Sequence, residues 1–312
     1  MRKFDTIIRL DPRVARLIPS RTGVEKLADG FEWVEGPVWD RRQGCLLFSD
    51  IPSNSVFKWQ EGAGVSLFLK PSGYTGVAPF DGREPGSNGL TFDHAGRLIL
   101  CEHGDRRIAR LEENGRKTTL ADNFRGKRLN SPNDLVFRAN GDLYFTDPCY
   151  GLPQTFIDTG RELDFCGVYR LSVEGQLSLL TRELGAPNGI AFSPSEKTLY
   201  VSNSEAKRAI WMAYEVASDG TLQNGRVFFN GTAWTSTTQG LPDGMKVDVE
   251  GNLFAAGPGG LHVFAPDGTH LGTVAMGVPT ANCTWGDDGS TLYITASTAI
   301  YRMKLSTKGV GF

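Results

Sequence analysis

Short apolar runs alternate with polar positions along most of this chain, and glycine-bearing polar pairs separate them. The second such group shows the pattern: Asn88-Gly-Leu-Thr-Phe-Asp, a turn at His94-Ala-Gly, Arg97-Leu-Ile-Leu-Cys, Arg107-Ile-Ala-Arg-Leu, a turn at Glu113-Asn-Gly, then Lys117-Thr-Thr-Leu-Ala. Period-two alternation bounded by turn residues predicts strands, and hairpin-length gaps predict antiparallel pairing. The same unit recurs six times. Its first strands begin at Glu35, Asn88, Asn133, Asn188, Asp243 and Asn282, spaced 39–55 residues apart. A strand-built repeat of this length predicts an all-β, six-bladed β-propeller with four antiparallel strands per blade. The sixth repeat stops after its third strand, Ile300-Tyr-Arg-Met-Lys-Leu. Val24-Glu-Lys-Leu-Ala-Asp-Gly resembles the fourth strand Thr118-Thr-Leu-Ala-Asp-Asn. The N-terminal strand is therefore expected to close the last blade, which removes exposed edges. Residues 1–312 read as one propeller domain with an N-terminal extension over residues 1–20. Trp39, Phe92, Phe137, Phe192 and Trp285 recur in phase and are expected between blades.

A radial arrangement places one position of each repeat near a common axis. Six oxygen-bearing side chains then converge, with Glu35, Asn133, Asn188 and Asp243 as principal candidates and Asn88 and Asn282 beside them. Asn-Gly and Asp-Gly are also ordinary turn pairs. Against that reading, these residues open strands, recur in phase, and include two acids. Pro132, Pro187 and Pro242 precede three of them and stiffen the approaching chain. An oxygen-only donor set favours Ca²⁺ first, then Mg²⁺ or Mn²⁺, with Zn²⁺ less natural. The hairpin geometry brings the ends of second strands to the same face: Asp50, Glu102, His103, Asp147 and Asn203. Loops over residues 70–87 and 148–166 add Tyr74, Tyr150 and Arg161 as candidate substrate contacts.

Composition narrows the function without changing the fold. With 40% hydrophobic and 22% charged residues and a net charge of −2, the chain carries no basic block suited to nucleic acid or anionic membranes. The five scattered cysteines contain no Cys-x-x-Cys and read as free thiols in a reducing compartment. The first residues lack a signal-peptide core, no apolar run reaches membrane-spanning length, and a cytoplasmic protein is expected. Nucleophile-elbow, zincin, phosphate-loop and complete dinucleotide motifs are absent.

The stretches Glu35-Gly-Pro-Val-Trp, Cys101-Glu-His-Gly-Asp-Arg-Arg, Ser131-Pro-Asn-Asp-Leu-Val, Phe145-Thr-Asp-Pro-Cys-Tyr-Gly-Leu, Ala186-Pro-Asn-Gly-Ile-Ala-Phe and Leu241-Pro-Asp-Gly-Met resemble the SMP-30/gluconolactonase/regucalcin-like family, in its bacterial gluconolactonase branch. Cys149 departs from that branch, where a second proline would stand. The resemblance implies one divalent cation held by Glu35, Asn188 and Asp243, with Asn133 as ligand or substrate contact. It also implies hydrolysis of a sugar lactone such as glucono-1,5-lactone by a monomer or homodimer. Asp243 is the expected general base, although ligation competes for the same oxygens. Asn88, Glu102, His103, Asn133, Asp147, Tyr150 and Asn282 are the expected substrate contacts. Phosphotriesters or non-sugar lactones, and a non-enzymatic Ca²⁺-binding propeller, are the alternatives.

Overall fold

In the computed structural model, which describes residues 7–312, the predicted hairpins form and stack around one axis. Blade one consists of Val34–Asp40, Cys45–Asp50, Ser55–Gln60 and Gly64–Leu69, paired in sequence order. Blades two to five repeat that order, beginning at Ser87–Phe92, Leu135–Phe137, Pro187–Phe192 and Met245–Val247. Blade six runs Thr280–Gly286, Thr291–Ala296 and Ala299–Lys304, and its outer strand is Glu25–Asp29. The pairing of Glu25 with Arg302 and of Asp29 with Ala299 closes the ring with the chain's two ends, as the sequence predicts.

Three short strands were not anticipated: the small hairpin of Asn123–Phe124 with Lys127–Arg128, and Ile7–Arg9. Ile7–Arg9 adds a fifth, outermost strand to blade five, pairing with His270–Ala275. The short helix Val14–Leu17 follows and buries Val14, Leu17 and Ile18 between blades five and six. Of the expected extension, residues 1–6 lie outside the described residues.

Apolar clusters fill the interfaces between neighbouring blades. Trp39 lies between blades six and one, Phe92 between one and two, Phe137 between two and three, Phe192 between three and four, and Trp285 between five and six. Trp39 stacks on Tyr293 at 5.1 Å, and Tyr144 meets Phe192 edge-on at 4.9 Å. Such contacts contribute about 0.5–1.5 kcal/mol each beyond the area they bury. All five cysteines are free and buried. Among the described residues, no helix is long and apolar enough to cross a membrane.

Candidate metal centre and cleft

The innermost strands approach so closely that the residue following the ring position must often be glycine. A Cβ on Gly36 would lie 1.9 Å from the Asn88 carbonyl oxygen, and one on Gly189 would lie 2.3 Å from that of Asp243. Gly89 and Gly244 stand in the same phase. These glycines belong to blade contact and not to turns.

Above this contact lies a cleft of about 380 Å³ lined by Glu35, Glu84, Asn88, Asn133, Tyr150, Asn188, Ser204 and Asp243, with apolar wall from Trp33, Ile51, Leu241 and Pro279. The carboxamides form a directed chain. Asn88 Nδ2 donates to Asn133 Oδ1 at 2.8 Å, Asn133 Nδ2 to Asn188 Oδ1 at 2.7 Å, and Asn188 Nδ2 to Ser204 Oγ at 3.1 Å. Ser204 then donates to the Pro242 carbonyl, and Asn282 Nδ2 donates to Glu35 Oε2 at 3.2 Å. Spending each amide N–H along the ring fixes the amide orientations and leaves a second lone pair on each accepting oxygen. Among the described residues, Asn88 Oδ1 is buried without a hydrogen-bond partner.

The two ring carboxylates oppose each other. Burial pushes the Glu35 carboxyl up to about 8, and the charge of Asp134 adds to the effect. Burial likewise raises Asp243 well above the carboxylate range, followed by the charges of Glu35 and Asp134. Among the described residues no three of His, Cys, Asp and Glu converge as a metal cluster. The donor set is two carboxylates with carboxamide oxygens. Such a set fits a hard divalent cation, which would supply the positive charge that these acids lack.

The profile of the SMP-30/Gluconolactonase/LRE-like region matches residues 33–298. The chain belongs to the SMP-30/gluconolactonase family. It is 43% identical to a gluconolactonase of Zymomonas mobilis over 97% of this chain and 87% of that protein. It is 28% identical to a pentonolactonase of Haloferax volcanii, covering 84% and 81% of the two chains. The solved structure of a gluconolactonase from Xanthomonas campestris superposes with a TM-score of 0.83 at 32% identity, covering 96% and 95%.

In this family member the ring candidates Glu35, Asn88, Asn133, Asn188 and Asp243 meet at the cleft with Tyr150, and Asn282 reaches Glu35 from blade six. Other candidates do not line it. Glu102 points into blade two, where Arg107 and Lys117 hold it at 2.6 and 2.5 Å. Asp147 accepts the backbone N–H groups of Asn130 and Ser131, both at 2.8 Å. Asp50 does the same for Trp33 at 2.9 Å and Asn203 for Ala186 at 3.0 Å. Asp50, Asp147 and Asn203 thus grip the chain two residues before the ring residue, so these three aim the site and do not line its wall. Tyr74 packs on Phe80, and Arg161 Nη2 donates to Cys166 Sγ at 3.6 Å. His103 is fully buried behind Glu84. Glu84 and Ser204 escaped the sequence reading. Glu84 sits in the 70–87 loop among other charged residues, and Ser204 lies one residue past the expected strand end.

Proposed function

We propose that the cleft hydrolyses a sugar lactone, glucono-1,5-lactone or a related aldonolactone, to its aldonic acid, using one divalent cation with Ca²⁺ as first choice. The observation that carries this reading is the convergence of Glu35 and Asp243 with the carboxamide chain at one end of the axis, opening onto a cleft. Glu35, Asn133, Asn188 and Asp243 would hold the cation. Carboxamides contribute oxygen without further negative charge. When bound, the cation polarises the lactone carbonyl and stabilises the charge developing on its oxygen. Asn88 and the Tyr150 hydroxyl stand where sugar hydroxyls can be oriented, while Trp33, Ile51 and Leu241 shield the ester from bulk water. All six blades contribute side chains to the ring, so the whole propeller acts as one catalytic domain. Similarity to a gluconolactonase and a pentonolactonase supports the choice of an aldonolactone. Asp243 enters first as a ligand, and its expected work as base competes for the same oxygens.

The test is proton release from glucono-, galactono- and xylonolactone against a protein-free blank. Chelator-stripped protein should be inactive and recover on refilling with Ca²⁺, Mn²⁺ or Zn²⁺. Cation binding without turnover on any lactone would overturn the lactonase reading and favour phosphotriesters or a binding protein.

A further inference from the structure

Glu84 is the carboxylate of the cleft that does not belong to the ring. Its Oε2 lies 2.9 Å from His103 Nδ1, with the glutamate side chain 30% exposed to the cleft and the imidazole 0% exposed. Among the described residues neither ring nitrogen of His103 has a hydrogen bond, and Glu84 Oε2 is the carboxylate oxygen within ion-pair distance of Nδ1.

The backbone fixes the pair from several sides. Pro85 holds its own φ and keeps the preceding Glu84 extended. The Gly86 carbonyl accepts the His103 N–H at 3.1 Å, and the Gly86 N–H donates to the Ile51 carbonyl at 3.0 Å. The Ser87 N–H donates to Ser72 Oγ at 3.0 Å. A Cβ on Gly151 would lie 2.5 Å from that of His103, so the 148–166 loop packs directly onto the imidazole. Groups facing Glu84 across the cleft are Glu35, Asp243 and Tyr150, each of which feels its charge.

Deprotonating the attacking water requires a carboxylate with a free lone pair. Coordinated carboxylates are poor bases, because the cation withdraws the electron density that would take a proton. Glu35 Oε2 already accepts the Gly36 and Asn282 N–H groups, and Asp243 Oδ1 accepts the Gly244 N–H. Their remaining oxygens are those a cation would take.

We propose that Glu84, oriented by His103, is the general base for lactone opening, leaving Asp243 as a ligand. The proposal rests on the lactonase reading. The oxygen of water forms a bond to the carbonyl carbon as its proton passes to Glu84. When the tetrahedral species collapses, the ring carbon–oxygen bond breaks and Glu84 returns that proton to the departing ring oxygen. The product is the hydroxy acid, whose carboxyl proton leaves to solvent, and Glu84 is restored as carboxylate. His103 is a positioning residue: its Nδ1, 2.9 Å from Oε2, keeps the Glu84 carboxylate directed at the cleft.

Three variants test this at saturating Ca²⁺, which keeps Glu35 and Asp243 ionised. E84Q should lower kcat by about 10²- to 10⁴-fold, the usual contribution of general acid–base catalysis. Its KM should stay within about threefold, its calorimetric Ca²⁺ affinity should match wild type, and the acid limb of its kcat/KM profile should vanish. E84D should recover part of the rate. H103Q should lose less and shift the acid limb. In stripped protein, the ¹⁵N chemical shifts of the His103 imidazole should change in E84Q at a single fixed pH, a readout independent of turnover. Wild-type kcat in E84Q, a defect confined to KM, or a fall in Ca²⁺ affinity parallel to the rate would each overturn the assignment. Wild-type protein inactive on every lactone would instead overturn the lactonase reading. Unchanged imidazole ¹⁵N shifts of His103 in E84Q would overturn the pairing itself.

Discussion

Removing the cation should make the fold sensitive to alkaline pH, and Glu35→Gln should abolish most of that sensitivity. The Glu35 carboxyl is held at about 8 against an ordinary value of 4.5 by burial and by the charge of Asp134. A folded-state value above the unfolded one means that the native state binds the proton more tightly. The stabilisation is complete below about 4.5 and is lost as pH rises through about 8. That interval corresponds to roughly 5 kcal/mol at about 1.4 kcal/mol per pH unit. Asp243 ionises against the same field, so the share assigned to Glu35 alone is about 2–5 kcal/mol. For a chain of this size, about 2 °C per kcal/mol is expected, giving a fall of roughly 4–10 °C between pH 5 and pH 9. Gln retains an oxygen for the Gly36 and Asn282 N–H groups and cannot ionise. The assay is scanning calorimetry of stripped wild type and E35Q from pH 5 to 9, with and without Ca²⁺. Wild type should fall relative to E35Q, and Ca²⁺ should stabilise wild type increasingly as pH rises. Parallel melting curves for the two stripped proteins would refute the argument that Glu35 is the strained group.

Asp243→Asn should reduce Ca²⁺ affinity at least tenfold by calorimetry, with turnover falling in proportion at fixed cation and partly recovering in excess; unaltered affinity would remove Asp243 from the ligand set. Glu102→Gln should lower stability by about 3–5 kcal/mol, because Arg107 and Lys117 lose their buried counter-charge. Its KM should not move, and a raised KM with normal melting would restore Glu102 as a substrate contact. Gly189→Ala should cost about 1–3 kcal/mol and weaken cation binding, since blades four and five must separate to admit the methyl group. Normal melting and affinity in that variant would show that the strand spacing is not set there.

The propeller and its closure were legible because strand periodicity and turn chemistry are local, and six repeats in phase leave little freedom. The ring residues were legible for the same reason. Glu102 and Asp147 were misread as cleft residues because the sequence places a strand end on a face without stating which way its side chain turns. Glu102 turned toward Arg107 and Lys117, and Asp147 toward the backbone of Asn130 and Ser131. The Glu84–His103 pair depends on a loop folding back to hydrogen-bond across a blade edge, which no period reveals. The strand Ile7–Arg9 was missed because three residues cannot show alternation.

The glycines after the ring residues connect the fold to its chemistry. At Gly36, Gly89 and Gly189 the backbone of the neighbouring inner strand, and at Gly244 the Asn282 side chain, lies within 1.9–2.6 Å of where a Cβ would stand. Side chains at those positions would force a wider axis and draw the ring oxygens apart. Two carboxylates and a carboxamide chain can serve one small cation only if that axis stays narrow. The third repeat departs from the pattern with Asp134, whose buried charge raises both Glu35 and Asp243. Substituting Asn at that position would relieve the ring acids without widening the axis. The tightness of the propeller and the electrostatic demand for a cation are therefore separable properties, set by adjacent residues of the same repeat.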